Sequence, residues 1–288
     1  MISLKKRLSL DEILVVPGGY DAFTARLIES SGFEAVYLSG AGVSYTTLGQ
    51  PDTGLITQTQ MLERIRDIAH AISIPLIADG DTGYGNAVNV VQTVQLFEHA
   101  GAVAIQLEDQ QFPKRCGHLS GKQLVTTEEM TAKIRAAVDA RTSDEFLIIA
   151  RTDARTVRGI EEAIFRGEKY IEAGADVLFI EAPQSEEDLA VIGRAFPDTP
   201  LLANMVEGGK TPLLTAEELH TLGYSIVIYP NSLTRRFAHA GVQLLTELKT
   251  AGTTQPLLEK MMSFQQLNHL LGYESLQALE RAYLPAPE

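Results

Sequence analysis

The chain has 288 residues, 24 of them Lys or Arg and 37 Asp or Glu, so its formal charge at pH 7 is −13. So acidic a chain is a poor match for nucleic acid, whose phosphates need a basic face. With 45% hydrophobic and 21% charged residues it has the composition of an ordinary globular protein, not of a disordered segment or a coiled coil. No stretch approaches the roughly 18 apolar residues of a membrane span, and the start, MISLKKRLSLDEILVV, has neither a long apolar region nor a small-residue cleavage site. The expected location is cytoplasmic. The single cysteine, Cys116, excludes an internal disulfide and a thiolate-rich zinc site.

In chain order, eight short apolar runs end in polar residues: ILVVPGG, AVYLSG, PLIADGD, VAIQLED, FLIIARTD, VLFIEA, PLLANM and IVIYPNS. They lack strict alternation, which predicts strands covered on both faces in a parallel sheet. Helical patterns separate them, with cap signals at Ser185 before Asp188 and at Thr215 before Glu218. Gly32, Gly101, Gly174 and Gly223 each stand between a helix and the next strand, where a left-handed residue turns the chain. No linker interrupts this rhythm, so the predicted fold is α/β, one (β/α)8 TIM barrel domain over 1–288, with a doubly wound sheet as the runner-up. Residues 232–288 read as a C-terminal helical extension, longer than the one helix a barrel needs at that point. Its apolar surplus is expected to pack on its own barrel or on a neighbouring subunit, implying a homo-oligomer. His70, His99, His220, His239 and His269 fall in helical segments and read as surface or packing residues, and Met261, Met262, Phe264 and Leu267 as core.

A barrel carries its active site at the C-terminal ends of its strands. Those ends supply Ser39, Asp79 and Asp81, Glu108 and Asp109, Arg151 and Asp153, Glu181 and Asn204, with Asp52 in the loop after the second strand. In DGDTGYG, two carboxylates stand two residues apart beside Gly83 and Gly85; oxygen ligands on a loop suit a hard cation such as Mg²⁺, with Glu108 completing the set. Helix capping and pairing with Lys or Arg are the bland alternative for these acids. The loop 112–122 crowds Cys116 with Lys114, Arg115 and His118, and nearby positive charge favours the thiolate. Its length and glycines suit a lid. Arg151 would offer a guanidinium to a substrate carboxylate, and a salt bridge to Glu181 or Asp153 is compatible with that role.

The ordered series YLSGAGV, LGQPDTG, DGDTGYGN, QLEDQ, KRCGH, ARTDA, FIEA and LLANMVEGGKTP resembles the isocitrate lyase/phosphoenolpyruvate mutase superfamily from about residue 10 to the C-terminus. The resemblance implies a (β/α)8 barrel that swaps a C-terminal helix between subunits, in a homotetramer built as a dimer of dimers. KRCGH resembles the carbon–carbon lyases of the superfamily, and NMVEGGKTP and SFQQLNHL the branch that contains 2,3-dimethylmalate lyase, the petal death protein and, nearby, the methylisocitrate lyases. Carried over by motif, Ser39, Gly40 and Ala41 would hold a substrate carboxylate, and Asp52, Asp79, Asp81 and Glu108 would hold Mg²⁺, or Mn²⁺, and its waters. Lys114, Cys116, Gly117 and His118 would form the gating loop, and Arg151, Glu181, Asn204 and Arg235 would surround the substrate. Ala41 departs from the methylisocitrate lyases, which commonly carry a smaller, glycine-like residue there.

The implied reaction is retro-aldol cleavage of a 2-hydroxy dicarboxylate, such as a 2-alkylmalate, to pyruvate and a second carboxylate. Cys116 would protonate the departing carbanion and Tyr37 would take the hydroxyl proton. The alternatives are a 2-methylisocitrate lyase, an oxaloacetate decarboxylase, a carboxyphosphonoenolpyruvate phosphonomutase and, in a different class, a barrel that only binds dicarboxylates. The methylisocitrate lyases align an arginine near Phe264, where it would meet a third carboxylate.

Overall fold

The computed structural model describes residues 2–117 and 121–284, in two compact units, Met1–Leu233 and Thr234–Glu288. All eight apolar runs form strands: β1 (Leu14–Gly19), β2 (Val36–Leu38), β3 (Leu76–Asp79), β4 (Ala104–Glu108), β5 (Leu147–Thr152), β6 (Val177–Ile180), β7 (Leu202–Asn204) and β8 (Ile226–Tyr229). Every pairing is parallel, and β1 lies between β2 and β8. A bridge between Leu178 and Leu201 joins β6 to the start of β7 and closes the ring. That closure distinguishes the (β/α)8 barrel from the open, doubly wound alternative.

In the first unit the helices are α1 (Leu4–Leu8), α2 (Ala22–Ser30), α3 (Gly40–Val43), α4 (Gln58–Ala71), α5 (Ala87–His99), α6 (Thr127–Ala140), α7 (Ala154–Val157), α8 (Ile160–Glu172), α9 (Glu186–Ala195) and α10 (Ala216–Thr221). Thr215 and Glu218 form a reciprocal capping box on α10. The one expected at Ser185 is half formed: its hydroxyl accepts from the Asp188 N–H, but the Asp188 carboxylate turns to the Gln184 N–H and to Arg155. Gly32, Gly101, Gly174 and Gly223 have φ of +85°, +106°, +103° and +93°, the left-handed turn from helix to strand.

Alternate strand residues fill the barrel. Leu14 and Val16, Leu147 and Ile149, Val177 and Phe179, and Ile226 and Ile228 belong to one buried cluster, to which α1 adds Leu4. The same two-residue period governs what lies further along each strand.

The second unit contains most of α11 (Ser232–Ala251), a short 3₁₀ turn at Gln255–Lys260, α12 (Phe264–Leu270) and α13 (Tyr273–Tyr283). None of its described residues is buried, and Val242, Leu245, Leu258 and Leu276 are exposed. Met261, Met262 and Phe264 are exposed as well, the last by 84%, so the stripe expected as core forms none within this chain. Among the described residues no helix is long and apolar enough to cross a membrane.

Candidate active site

Strand periodicity delivers the polar set. The inward parity that buries Ile77 brings Asp79 next, Ala104 leads to Gln106 and Glu108, Ile149 to Arg151, Phe179 to Glu181, and Leu202 to Asn204. Register places Asp79 beside Gln106 and Glu108 beside Arg151. Asp109, one residue out of phase, points away: it accepts from Thr152 Oγ1 at 2.7 Å, Tyr170 Oη at 2.7 Å and Arg166 Nη1 at 3.0 Å. It belongs to a buried structural network under α8. At the mouth one cavity of about 50 Å³ is lined by Tyr37, Ser39, Asp52, Asp79, Lys114, Cys116, Gly117, Arg151, Glu181 and Asn204, among others. Drug-sized ligands occupy roughly 300–1,000 Å³, so this space suits a small polar molecule.

Acids crowd one side of that cavity. Asp79 accepts from the backbone N–H groups of Gly40 (3.2 Å) and Asp81 (3.1 Å). A β-carbon on Gly40 would stand 2.9 Å from Asp79 Oδ2, so this approach needs glycine. Lys114 brings its ammonium 2.5 Å from Asp52 and 2.8 Å from Asp81. Burial pushes the Asp81 carboxyl up to about 6, with Lys114 opposing and Asp79 and Asp52 adding to the rise. Burial also holds Glu108 well above the usual carboxylate range, against the pull of Arg151. For Lys114 burial acts downward, but the carboxylates of Asp81, Asp52, Glu108 and Asp79 prevail and hold it firmly charged.

Arg151 organises the adjoining side, next to Glu108. Its Nε lies 3.0 Å from Asp153 Oδ2 and 3.3 Å from Glu108 Oε2, its Nη2 lies 3.3 Å from Asp153 Oδ1, and Nη1 approaches Glu181 at 3.7 Å. The guanidinium also lies over the Phe179 ring, 5.2 Å from its centre. Both of the salt bridges weighed for Arg151 are therefore present, and its face towards the cavity is held in a fixed orientation. Asn204 Nδ2 donates to Glu181 at 3.2 Å. Gly117 packs directly on this group: a β-carbon there would meet Arg151 Nη2 and Glu181 Cγ, each at 2.6 Å.

Ser39 caps α3, accepting from the Gly42 N–H at 3.2 Å, and its hydroxyl donates to Asn231 at 3.3 Å. Ala41 lines the cavity, and Gly40 spends its N–H on Asp79. Tyr37 donates its phenolic proton to Gln106 Oε1 at 2.6 Å, and Gln106 Nε2 donates to Asp79 at 3.2 Å. Because a carboxylate only accepts, this chain fixes the amide orientation and leaves Tyr37 a lone pair for the cavity. Burial, reinforced by Asp79, raises the phenol well above its ordinary value. His118 lies outside the described residues, and Arg235 stands exposed on α11 in the second unit.

Sequence reasoning missed Gln106, Lys122 and Asn231. Gln106 shares the parity of Glu108 and could have been found from it. Lys122 gives no local signal, yet its ammonium is buried against Asp153 and the Gly117 carbonyl.

The donor set fits a divalent cation. Among the described residues no three His, Cys, Asp or Glu groups converge as an all-protein metal cage, but Mg²⁺ commonly takes one or two carboxylates and keeps several waters. Among the described residues Glu108 Oε1 and Asn204 Oδ1 are buried with no hydrogen-bond partner, and such atoms need a partner, a ligand, water or ion among them.

A family profile described as phosphoenolpyruvate phosphomutase matches residues 4–249. The chain is 49% identical over 280 residues to 2,3-dimethylmalate lyase of Eubacterium barkeri, covering 97% of this chain and 96% of the relative. It is 44% identical over 274 residues to 2-methylisocitrate lyase of Aeropyrum pernix, covering 95% and 88%. Among solved structures, a 2,3-dimethylmalate lyase superposes with a TM-score of 0.93 at 36% identity, covering 99% of this chain and 97% of that one. Phosphonopyruvate hydrolase in complex with oxalate and Mg²⁺ gives 0.89 at 34%, with 98% of each chain covered. The closed barrel, the acids and Arg151 at its mouth and these likenesses lead to one assignment: the chain belongs to the phosphoenolpyruvate mutase/isocitrate lyase superfamily.

Proposed function

We propose that the protein is a Mg²⁺-dependent carbon–carbon lyase that cleaves a 2-alkylmalate, with 2,3-dimethylmalate as the reference substrate, into pyruvate and a second carboxylate. The observation that carries this reading is that Cys116, the carboxylates of Asp52 and Asp79 and the guanidinium of Arg151 line one small cavity. The names of the relatives agree with it.

Asp52, Asp79, Asp81 and Glu108 would hold Mg²⁺ directly or through water, and when bound the ion supplies Lewis-acid stabilisation of oxygen charge on the substrate. Arg151, oriented by Asp153, receives one substrate carboxylate. Ser39 and Ala41 border the space for the other. Tyr37, which keeps its own proton on Gln106, accepts a hydrogen bond from the C2 hydroxyl on its free lone pair and orients it, and the hydroxyl proton itself passes to a carboxylate of the same lining, Asp79. The C2–C3 pair then passes to C3, the C2 oxygen becomes the carbonyl of pyruvate, and the Cys116 thiol delivers its proton to C3. For 2,3-dimethylmalate the second product is propionate. Lys114 neutralises Asp52 and Asp81 while the site is closed, and Gly117 seals it against water that would protonate the enolate unselectively.

Oligomerisation belongs to the same reading. A second unit without a single buried described residue supports its packing against another copy, in a helix-swapped homotetramer. The enzymatic test is pyruvate release with Mg²⁺ from 2,3-dimethylmalate, 2-methylisocitrate and oxaloacetate, repeated after EDTA. Mg²⁺-dependent pyruvate from the dialkylmalate is expected. CO₂ from oxaloacetate with no cleavage of either malate would replace this reading with a decarboxylase.

A further inference from the structure

Lys122 is among the most deeply buried cations of the barrel, its side chain 1% exposed, and the mechanism above gives it no task. It stands five residues beyond Gly117, and among the described residues its ammonium has two acceptors: the Gly117 carbonyl and Asp153 Oδ1, the latter at 2.5 Å. Asp153 is wholly buried and is also the carboxylate that holds Arg151 through both Nε and Nη2. Its own backbone N–H donates to Asp109 at 3.0 Å, anchoring it to the network under α8. One carboxylate therefore faces two cations with different duties, one presented to the substrate and one tied to the backbone that follows the thiol.

We propose that Lys122 is a positioning residue that fixes the Cys116–Gly117 backbone to the substrate-binding Arg151 through Asp153. Gly117 has no side chain, so only its main chain can be gripped, and an ammonium donating to its carbonyl does so directly. The carbonyl is adjacent to Cys116, so its position sets where the sulfur can reach. Asp153 gives that grip a reference point common to the thiol and the guanidinium, so acid and carboxylate binder share one frame. Cleavage requires both at once. A loop held only by its own packing would let the thiol stray while leaving Arg151 in place, and a misplacement of about 1 Å can cost about 100-fold in rate.

The inference rests on Cys116 acting as the acid, but one of its readouts does not. In the full-length protein, Lys122→Met, Lys122→Gln and Lys122→Arg are compared with the unmodified chain. The first measurement is the rate of iodoacetamide labelling, followed by mass spectrometry, which is unambiguous because Cys116 is the sole cysteine. The second is kcat and KM for pyruvate release. Lys122→Met should label several-fold faster, also with oxalate and Mg²⁺ present, and should lose about 100-fold in kcat with KM little changed. Lys122→Arg, which can still bridge both acceptors, should recover most of each effect. Lys122→Gln, which keeps a donor without the charge, should fall between and serves if the Met variant does not fold. Labelling at the unmodified rate in both neutral variants would overturn the proposal, whatever happened to turnover. If the unmodified protein cleaved no malate, the labelling comparison would still decide the role of Lys122.

Discussion

A single methyl group on Gly117 tests whether the site works only when its loop is seated. In Gly117→Ala the new carbon would stand 2.6 Å from both Arg151 Nη2 and Glu181 Cγ, about 0.8 Å inside the shortest ordinary contact of 3.4 Å. Neither neighbour is at liberty to yield. Arg151 is held by Asp153 on two nitrogens, and Glu181 is fully buried beside Asn204. The backbone of residue 117 must therefore lift, at a cost of about 1–3 kcal/mol if it stays seated. Gly117 is not among the glycines of positive φ, so the effect comes from contact and not from backbone strain. A lift approaching 1 Å moves the adjacent Cys116 sulfur from its target, and such a displacement costs about 100-fold in rate. The assay is kcat and KM for pyruvate release from 2,3-dimethylmalate with Mg²⁺, paired with a thermal melt. The expected result is kcat lower by about 100-fold with Tm changed by no more than about 2–4 °C, because the loop and not the barrel absorbs the clash. Unaltered kcat in the alanine variant would refute the seated geometry.

Three further outcomes follow, two from the site and one from the sequence resemblance at Phe264. Cys116→Ser should lose cleavage by orders of magnitude while still binding oxalate with Mg²⁺ by calorimetry, since a hydroxyl is a far weaker acid than a thiol; near-normal turnover would remove Cys116 from the chemistry. The gain in Tm from Mg²⁺ should grow with pH. Burial keeps Asp81 protonated up to about pH 6 and holds the Glu108 carboxyl well above its ordinary range, while unfolded carboxyls ionise near about pH 4. The folded, metal-free state therefore binds more protons than the unfolded one above about pH 4 and loses stability as pH rises. The cation requires ionised carboxylates, so melts at pH 5 and pH 7.5 should show a small and a large gain respectively, and equal gains would count against this site. Phe264→Arg should shift the ratio of kcat/KM from 2,3-dimethylmalate towards 2-methylisocitrate, because an aromatic ring offers no charge to a third carboxylate whose desolvation costs roughly several kcal/mol; an unchanged ratio would mean that residue 264 does not meet the substrate.

The barrel was legible because its strands are short, apolar and regularly spaced, and because the glycines ending the helices mark each return to the sheet. The polar residues at the mouth were legible for the same reason: on a barrel strand, position along the run determines depth, so Asp79, Glu108, Arg151 and Glu181 could be read as a ring before any contact was known. Parity was the unused part of that signal. It separates Glu108, which faces the cavity, from Asp109, which faces α8, and it would have found Gln106. What sequence could not show is pairing between distant loops. Lys114 reads as a cation beside a thiol, whereas its ammonium contacts Asp52 and Asp81, and nothing in the sequence around Lys122 points to Asp153, 31 residues further along the chain. The extension was legible as amphipathic helix, but an amphipathic pattern does not name its partner, and none of the residues from 234 to 284 is buried.

The central claim is that the C2–C3 bond of a 2-alkylmalate breaks and that the Cys116 thiol protonates the carbon it leaves behind. Turnover of 2,3-dimethylmalate in D₂O with Mg²⁺, read by mass spectrometry and NMR, tests both parts together, because a thiol exchanges its proton with solvent before delivering it. The account predicts pyruvate and propionate in equal amounts, with one deuterium at C2 of every propionate, and neither product from Cys116→Ser. Intact substrate after prolonged incubation with the unmodified enzyme, or singly deuterated propionate formed at an undiminished rate by Cys116→Ser, would contradict it.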